Sequence, residues 1–209
     1  MKLILTRHGE SEGNKKKLIQ GHADYPLTDK GLKQASELTA WLKSNKYTIS
    51  RIYSSDLSRA AETAVIIAKG LGNKDIIFDQ RLREFNLGDF EHKSYDKLSQ
   101  EERKFMDSHW ENEDKKMPNG ESVTDMKKRI KESFDDIIPY HKEEETVLIV
   151  AHGGTLFHIV ISTLGFDIRK TLDEEWFDNC KITELIFDID ANKWSLITFN
   201  SKPFTFNLE

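Results

Sequence analysis

Two short apolar runs, Leu3-Ile4-Leu5 and Thr146-Val147-Leu148-Ile149-Val150-Ala151, end abruptly in Thr6-Arg7-His8-Gly9 and His152-Gly153-Gly154. Continuous apolar runs without alternation are the pattern of strands covered on both faces. Such strands belong to a parallel sheet layered with helices. Ligands of an open α/β sheet gather at the carboxyl ends of its strands. Arg7, His8 and His152 therefore stand where two buried strands break surface. The glycines that follow let the backbone turn and a ligand approach closely.

The sequence between these runs supplies the rest of an α/β chain. Thr28 is placed to cap a helix whose apolar face carries Leu32, Ala35, Leu38 and Leu42. A short strand, Arg51-Ile52-Tyr53, runs through Ser54-Ser55-Asp56 into a second helix bearing Ala60, Ala61, Ala64, Ile67 and Ala68. Asp75-Ile76-Ile77-Phe78 reads as a third strand leading to Arg81-Leu82-Arg83-Glu84. Residues 94–120 are irregular and charged, and are expected to form a partly helical insertion. Ser122 with Asp125 forms a box-like cap on a helix striped by Val123, Met126, Ile130, Phe134 and Ile137. A helix with Leu156, Ile159, Val160 and Leu164 follows His152, and Ile182–Ile189 with Trp194–Phe199 reads as a β-hairpin. Strands alternating with helices, then a late hairpin, imply one α/β domain over residues 1–209 with a mixed sheet.

Composition narrows the partners. A net charge of −5 argues against general affinity for nucleic acid or an anionic membrane, though a local cationic pocket is compatible with it. The single cysteine, Cys180, excludes an internal disulfide framework and suits a reducing compartment; it reads as a buried structural residue. No apolar run approaches the ~20 residues of a spanning helix, and a strand at the very start leaves no room for a signal peptide. A soluble, cytoplasmic protein is expected.

If the two apolar strands lie in parallel, His8 and His152 share one rim. Arg59, at the next strand-to-helix junction, and Glu84, after the third strand, can join them. Each residue type answers a need of phosphate-ester cleavage. Guanidinium groups bind phosphoryl oxygens bidentately and keep their charge, which suits Arg7 and Arg59. A neutral imidazole can attack phosphorus, and a carboxylic acid such as Glu84 can protonate the leaving oxygen. His152 can donate to a phosphoryl oxygen, and a helix starting near Gly153 adds a favourable dipole end. Such a site calls for no metal or other cofactor, and its ligand is a small phosphorylated metabolite.

The chain resembles the histidine phosphatase superfamily, in the branch named for cofactor-dependent phosphoglycerate mutase. The resemblance rests on Leu5-Thr6-Arg7-His8-Gly9-Glu10-Ser11 with Asn14, Gln20-Gly21, and Pro26-Leu27-Thr28 with Gly31. It continues through Ser54-Ser55-Asp56-Leu57-Ser58-Arg59-Ala60, Leu82-Arg83-Glu84 with Gly88 and Glu91, Pro118-Asn119-Gly120-Glu121-Ser122, and Val150-Ala151-His152-Gly153-Gly154. It implies a three-layer α/β/α sandwich around a mostly parallel mixed sheet. By the same resemblance His8 would be the nucleophile that becomes phosphorylated and Glu84 the proton donor. Arg7, Arg59 and His152 would form the phosphate pocket, with Asn14, Gln20, Gly21 and the Gly153 backbone binding substrate. Gly153 stands where the phytase-like branch has an acidic aspartate, which favours Glu84 as the acid.

The resemblance also separates possible activities. Mutases of the family tend to be longer, with a segment covering the site and Arg-His-Tyr-Gly after the acid. Here Asn86-Leu87-Gly88-Asp89-Phe90-Glu91 follows Glu84, as in the phosphatases. The expectation is a phosphatase of the broad-specificity bacterial type, with α-ribazole, phosphoserine and sugar bisphosphate types open. A cofactor-dependent phosphoglycerate mutase, or a non-catalytic protein binding a phosphate ligand on the same fold, are the alternatives. Two departures bear on substrate fit: Gly13 replaces a common tryptophan, and His92 replaces a common glycine.

Other features read as ordinary structure. His22 is expected in solvent more than at substrate, and Lys15-Lys16-Lys17 as an exposed turn. Lys127, Lys128, Arg129 and Lys131 read as a solvated helix face. Phe105, Met106 and Trp110 are expected either to cap the pocket or to pack the insertion. His92, His109, His141 and His158 lack metal-ligand spacing. Oligomeric state is not readable.

Overall fold

The structure is a computed structural model that describes residues 1–72, 75–108, 111–165, 176–188, 190–191 and 193–203. Seven strands form one sheet: β1 (Lys2–Arg7), β2 (Arg51–Ser54), β3 (Ile76–Phe78), β4 (Thr146–Ala151), β5 (Ile182–Asp188), β6 (Lys193–Phe199) and β7 (Lys202–Pro203). Their order is β3-β2-β4-β1-β5-β6-β7. β3, β2, β4 and β1 run parallel, and β5, β6 and β7 continue antiparallel. The sheet is mixed, as expected, with one short strand, β7, that the sequence did not announce.

The helices are α1 (Glu12–Lys15), α2 (Asp29–Ser44), α3 (Ser58–Leu71), α4 (Gln100–Asp107), α5 (Val123–Ile137) and α6 (Gly153–Leu164). The two central strands bury both faces because their neighbours along the chain point in opposite directions. Leu3, Leu5, Val147 and Ile149 pack with Met126, Ile130, Leu156 and Phe157 of α5 and α6. Ile4, Leu148 and Val150 pack on the other face with Ala35, Leu38, Leu42, Ala64 and Ile67 of α2 and α3. Each of the larger side chains among these contributes about 1.5–3 kcal/mol relative to exposure.

Local signals hold in detail. Thr28 accepts from the Gly31 amide, and Ser122 with Asp125 forms a complete capping box. One apolar assignment is corrected. Leu32 is 41% exposed, because it lies at the edge of the stripe on α2 that faces the sheet. Phe134 is only partly covered; Ser133 takes the inward position on α5 and donates to Asp79 Oδ2 at 2.7 Å. The insertion contains a 3-10 turn at Tyr95–Lys97 and helix α4.

One register decides where the chemistry lies. β1 and β4 pair in parallel with Arg7 opposite Ala151. The residues that follow, His8 and His152, therefore emerge side by side. β2 lies on the other side of β4, with Ser54 opposite Val150, and delivers Ser55 and the start of α3 to the same rim.

Candidate active site

His8 is 2% exposed, and its backbone is pinned on both sides. Its amide donates to Ala151 O at 3.0 Å, and its carbonyl accepts from Asn179 Nδ2 at 2.6 Å. The ring nitrogen Nδ1 lies 2.7 Å from Gly9 O. A carbonyl can only accept, so Nδ1 carries the proton and Nε2 the lone pair. Burial, and then the charges of Arg59 and Arg7, hold the imidazole pKa well below its usual value. His8 is thus a neutral imidazole with its free nitrogen directed away from the backbone. His152, fully buried, meets it edge to ring at 5.2 Å between centroids.

Two arginines converge here without a carboxylate partner. Arg59, in the first turn of α3 and 1% exposed, donates Nη1 to Ala23 O at 3.0 Å and Nη2 to Gly21 O at 2.8 Å. Arg7 donates Nη1 to Phe177 O at 2.9 Å. Neither forms an ion pair among the described residues, and the Nε atom of each is buried without a hydrogen-bond partner there. Burial is the main reason that both pKa values fall below the arginine norm, to about 10 for Arg59. Two cations with donors to spare, Arg59 buried and Arg7 half-buried, are suited to holding an anion.

Glu84 faces them from the start of α6. Its Oε1 accepts from the Phe85 and Thr155 amides at 3.0 and 3.2 Å, and its Oε2 from the Gly154 amide at 3.1 Å. A Cβ at Gly154 would fall 2.6 Å from Glu84 Oε1, so only glycine admits this approach. The backbone of Glu84 is held as firmly. Its carbonyl accepts from His22 Nε2 at 2.8 Å and Arg129 Nη2 at 2.9 Å.

These contacts correct two sequence readings. His22 neither floats in solvent nor lines the cavity; it braces the loop of the carboxylate. Arg129 is no solvated charge, unlike exposed Lys128 and Lys131. Its guanidinium also donates to the Arg81 and Arg83 carbonyls at 2.7 Å each and pairs with both oxygens of Glu121. The only signal was that Arg129 is the one guanidinium in a run of lysines, and only guanidinium has five donors.

Arg7, His8, Asn14, Gln20, Gly21, Arg59 and Glu84 line one cavity of about 320 Å³. Gly153 is buried against Trp176 and does not line it; Gly154 does. Asn14 Oδ1 accepts from the Ser11 amide at 3.1 Å, which closes the cap of α1. The Gln20 side chain fills the space beside Gly13, where an added Cβ would lie 2.5 Å from its Cδ. The other departure, His92, has φ +67°, a conformation natural to glycine; its Nδ1 meets Tyr25 OH at 2.6 Å.

Leu18, Leu87, Met106, Val123, Met126 and Trp176 form the apolar wall of the same cavity. Of the expected cap, Met106 lines the cavity, whereas Phe105 stacks on Phe90 at 5.9 Å. Trp110 and His109 lie outside the described residues. His141 is tied to Tyr53 and Glu145, His158 is buried and borders the cavity, and Lys15-Lys16-Lys17 are exposed. Cys180 is buried, with its thiol pKa pushed up to about 12 by burial.

Residues 3–202 match the model of the histidine phosphatase superfamily, branch 1. The chain belongs to that superfamily. As a histidine phosphatase it is an enzyme of the phosphoric monoester hydrolase type. A probable phosphoglycerate mutase of Escherichia coli, GpmB, is 36% identical over 171 residues, covering 79% of this chain and 75% of that protein. Bacillus stearothermophilus YhfR superposes with a TM-score of 0.82 at 31% identity, covering 97% of this chain and 98% of the other. A mycobacterial glucosyl-3-phosphoglycerate phosphatase in complex with VO3 gives 0.83 at 26% identity, covering 96% and 99%. No described helix is long and apolar enough to cross a membrane.

Proposed function

We propose that this histidine phosphatase hydrolyses small phosphate monoesters through a phosphohistidine on His8, with Glu84 as general acid and then base. The observation that carries the reading is the lone pair of His8 Nε2 beside two guanidinium groups that have no carboxylate partner among the described residues and whose Nε atoms are buried without a hydrogen bond there. Arg7 and Arg59 hold the phosphoryl oxygens and absorb the charge that builds up on them. Nε2 attacks phosphorus in line, the P–O ester bond breaks, and the leaving oxygen takes its proton from Glu84. Water then attacks phosphorus while the Glu84 carboxylate takes its proton. The P–N bond breaks and returns the lone pair to Nε2. No step calls for a metal.

The apolar wall that includes Met106 and Trp176 would receive the leaving group, which favours compact esters with an apolar face. Asn14, Gln20 and the Gly21 backbone would complete the phosphate side. A cytoplasmic location suits such a metabolite phosphatase.

The test is hydrolysis of p-nitrophenyl phosphate in the presence of a chelator, with protein quenched in alkaline detergent assayed for acid-labile, base-stable phosphohistidine. Activity and label should both vanish in His8→Ala. A folded wild type that never labels, or a His8→Ala variant that turns over normally, would overturn the assignment. The likeness to GpmB keeps a mutase as the second reading. Conversion of 3- to 2-phosphoglycerate faster than phosphate release would establish it.

A further inference from the structure

His152 has an unexplained atom. Its Nδ1 is buried without a hydrogen-bond partner among the described residues, in a fully buried ring beside His8. Its other nitrogen, Nε2, lies 2.8 Å from Ser55 Oγ. Which nitrogen carries the proton depends on which way the Ser55 hydroxyl points.

The surroundings of Ser55 settle that direction. Ser55 is fully buried, and its Oγ already accepts from the Leu57 amide at 3.3 Å. Its backbone is held as well, the amide donating to Val150 O at 3.0 Å and the carbonyl accepting from Ser54 Oγ at 2.8 Å. Among the described residues the acceptor within hydrogen-bond distance of the hydroxyl is the His152 ring. If His152 instead donated from Nε2, Oγ would receive two N–H groups and its own proton would have no acceptor. Nδ1 would then carry a lone pair, and a ring 5.2 Å from His8 would have no N–H left to offer a phosphoryl oxygen bound there.

We propose that Ser55 is a positioning residue that fixes the proton of His152 on Nδ1, so that a neutral imidazole donates to the bound phosphoryl group. This rests on the phosphoryl-transfer reading of the site. The serine acts through the imidazole and touches no reacting atom. It makes the second histidine a permanent donor, whereas Gly9 makes the first a permanent nucleophile. The two rings thus hold complementary tautomers: Nδ1–H spent on the backbone in His8, Nδ1–H kept for the ligand in His152. Burial, and then the charge of Arg59, keep His152 in its neutral form, the form in which the tautomer matters.

Nitrogen NMR of the histidine side chains reads the tautomer directly, with His152 assigned by its loss in His152→Gln. At neutral pH wild type should show a protonated Nδ1 and a lone-pair Nε2 at His152. Ser55→Ala should weaken binding of inorganic phosphate, measured by titration calorimetry, at least about tenfold, the loss expected for a hydrogen bond to a charged group. Ser55→Thr, which keeps the hydroxyl, should restore it. A proton on Nε2 of His152 in wild type overturns the proposal, and that measurement needs no variant to fold. So does a folded Ser55→Ala that binds phosphate as tightly as wild type. Neither readout uses turnover, so a chain inert to every ester would fail the function proposed above and leave this inference standing.

Discussion

Arg129 grips the backbone carbonyl of Glu84 at 2.9 Å while also binding the carbonyls of Arg81 and Arg83 and both oxygens of Glu121. One side chain on α5 therefore sets the path of the loop that delivers the carboxylate. Arg129→Ala should lower kcat by about 10- to 100-fold through misplacement of Glu84. Phosphate inhibition should change less than kcat, since Arg7 and Arg59 make their own hydrogen bonds to Phe177, Gly21 and Ala23 rather than to that loop. Urea unfolding should show a loss of roughly 1–3 kcal/mol, because Glu121 and three carbonyls lose their donor.

Gly154 admits the carboxylate. A methyl group there would sit 2.6 Å from Glu84 Oε1. Gly154→Ala should cut kcat at least about tenfold while leaving the inhibition constant of inorganic phosphate close to wild type. Steady-state kinetics on p-nitrophenyl phosphate separates the two effects. A matching loss of phosphate affinity would mean that the substitution disturbed the arginines.

Arginines without a carboxylate partner among the described residues should make the fold respond to phosphate. Binding of an anion that neutralises Arg7 and Arg59 should raise the melting temperature, as a ligand at 100 times its Kd adds about 2.7 kcal/mol. Arg59→Met, which keeps most of the packing volume, should abolish that phosphate-dependent rise in a thermal scan. A variant that still responds fully would place the anion elsewhere.

Acid should act on stability before it acts on the nucleophile. The pKa values of His8 and His152 are depressed in the folded protein, so the unfolded chain binds more protons below the ordinary histidine range. Their contribution to stability is present above about pH 6.5 and is lost as pH falls toward the depressed folded values. Denaturation midpoints should decline below about pH 6.5. The kcat/KM profile should show no loss with an apparent pKa near 6.5, because His8 stays neutral through that range.

Met106 stands on the apolar wall, and Phe105 does not. Met106→Ala should therefore re-rank esters by leaving group, lowering kcat/KM for aromatic esters more than for small polyol esters. Phe105→Ala should instead reduce stability and affect all substrates alike. A panel of monoesters assayed on both variants distinguishes a wall residue from a packing residue.

The family, the layered sheet and the residues that bear charge or lone pairs were legible in the chain, because they depend on local signals. Apolar runs, capping serines and threonines, and glycines in tight approaches are written residue by residue. Arg7, His8, Arg59, Glu84 and His152 announced themselves by standing at the ends of such elements. The residues that position them did not. Arg129 looked like one more solvated cation, and His22 like a loop histidine. Ser55 passed as part of a motif.

Those roles exist only in the fold, where the parallel pairing of β1 with β4 sets two histidines edge to ring. Burial then removes the water that would otherwise satisfy every donor and acceptor. In the sequence Ser55 and His152 are 97 residues apart. Only the tertiary structure decides that a hydroxyl proton has an imidazole as its acceptor, and that two guanidinium groups meet carbonyl oxygens but no carboxylate among the described residues.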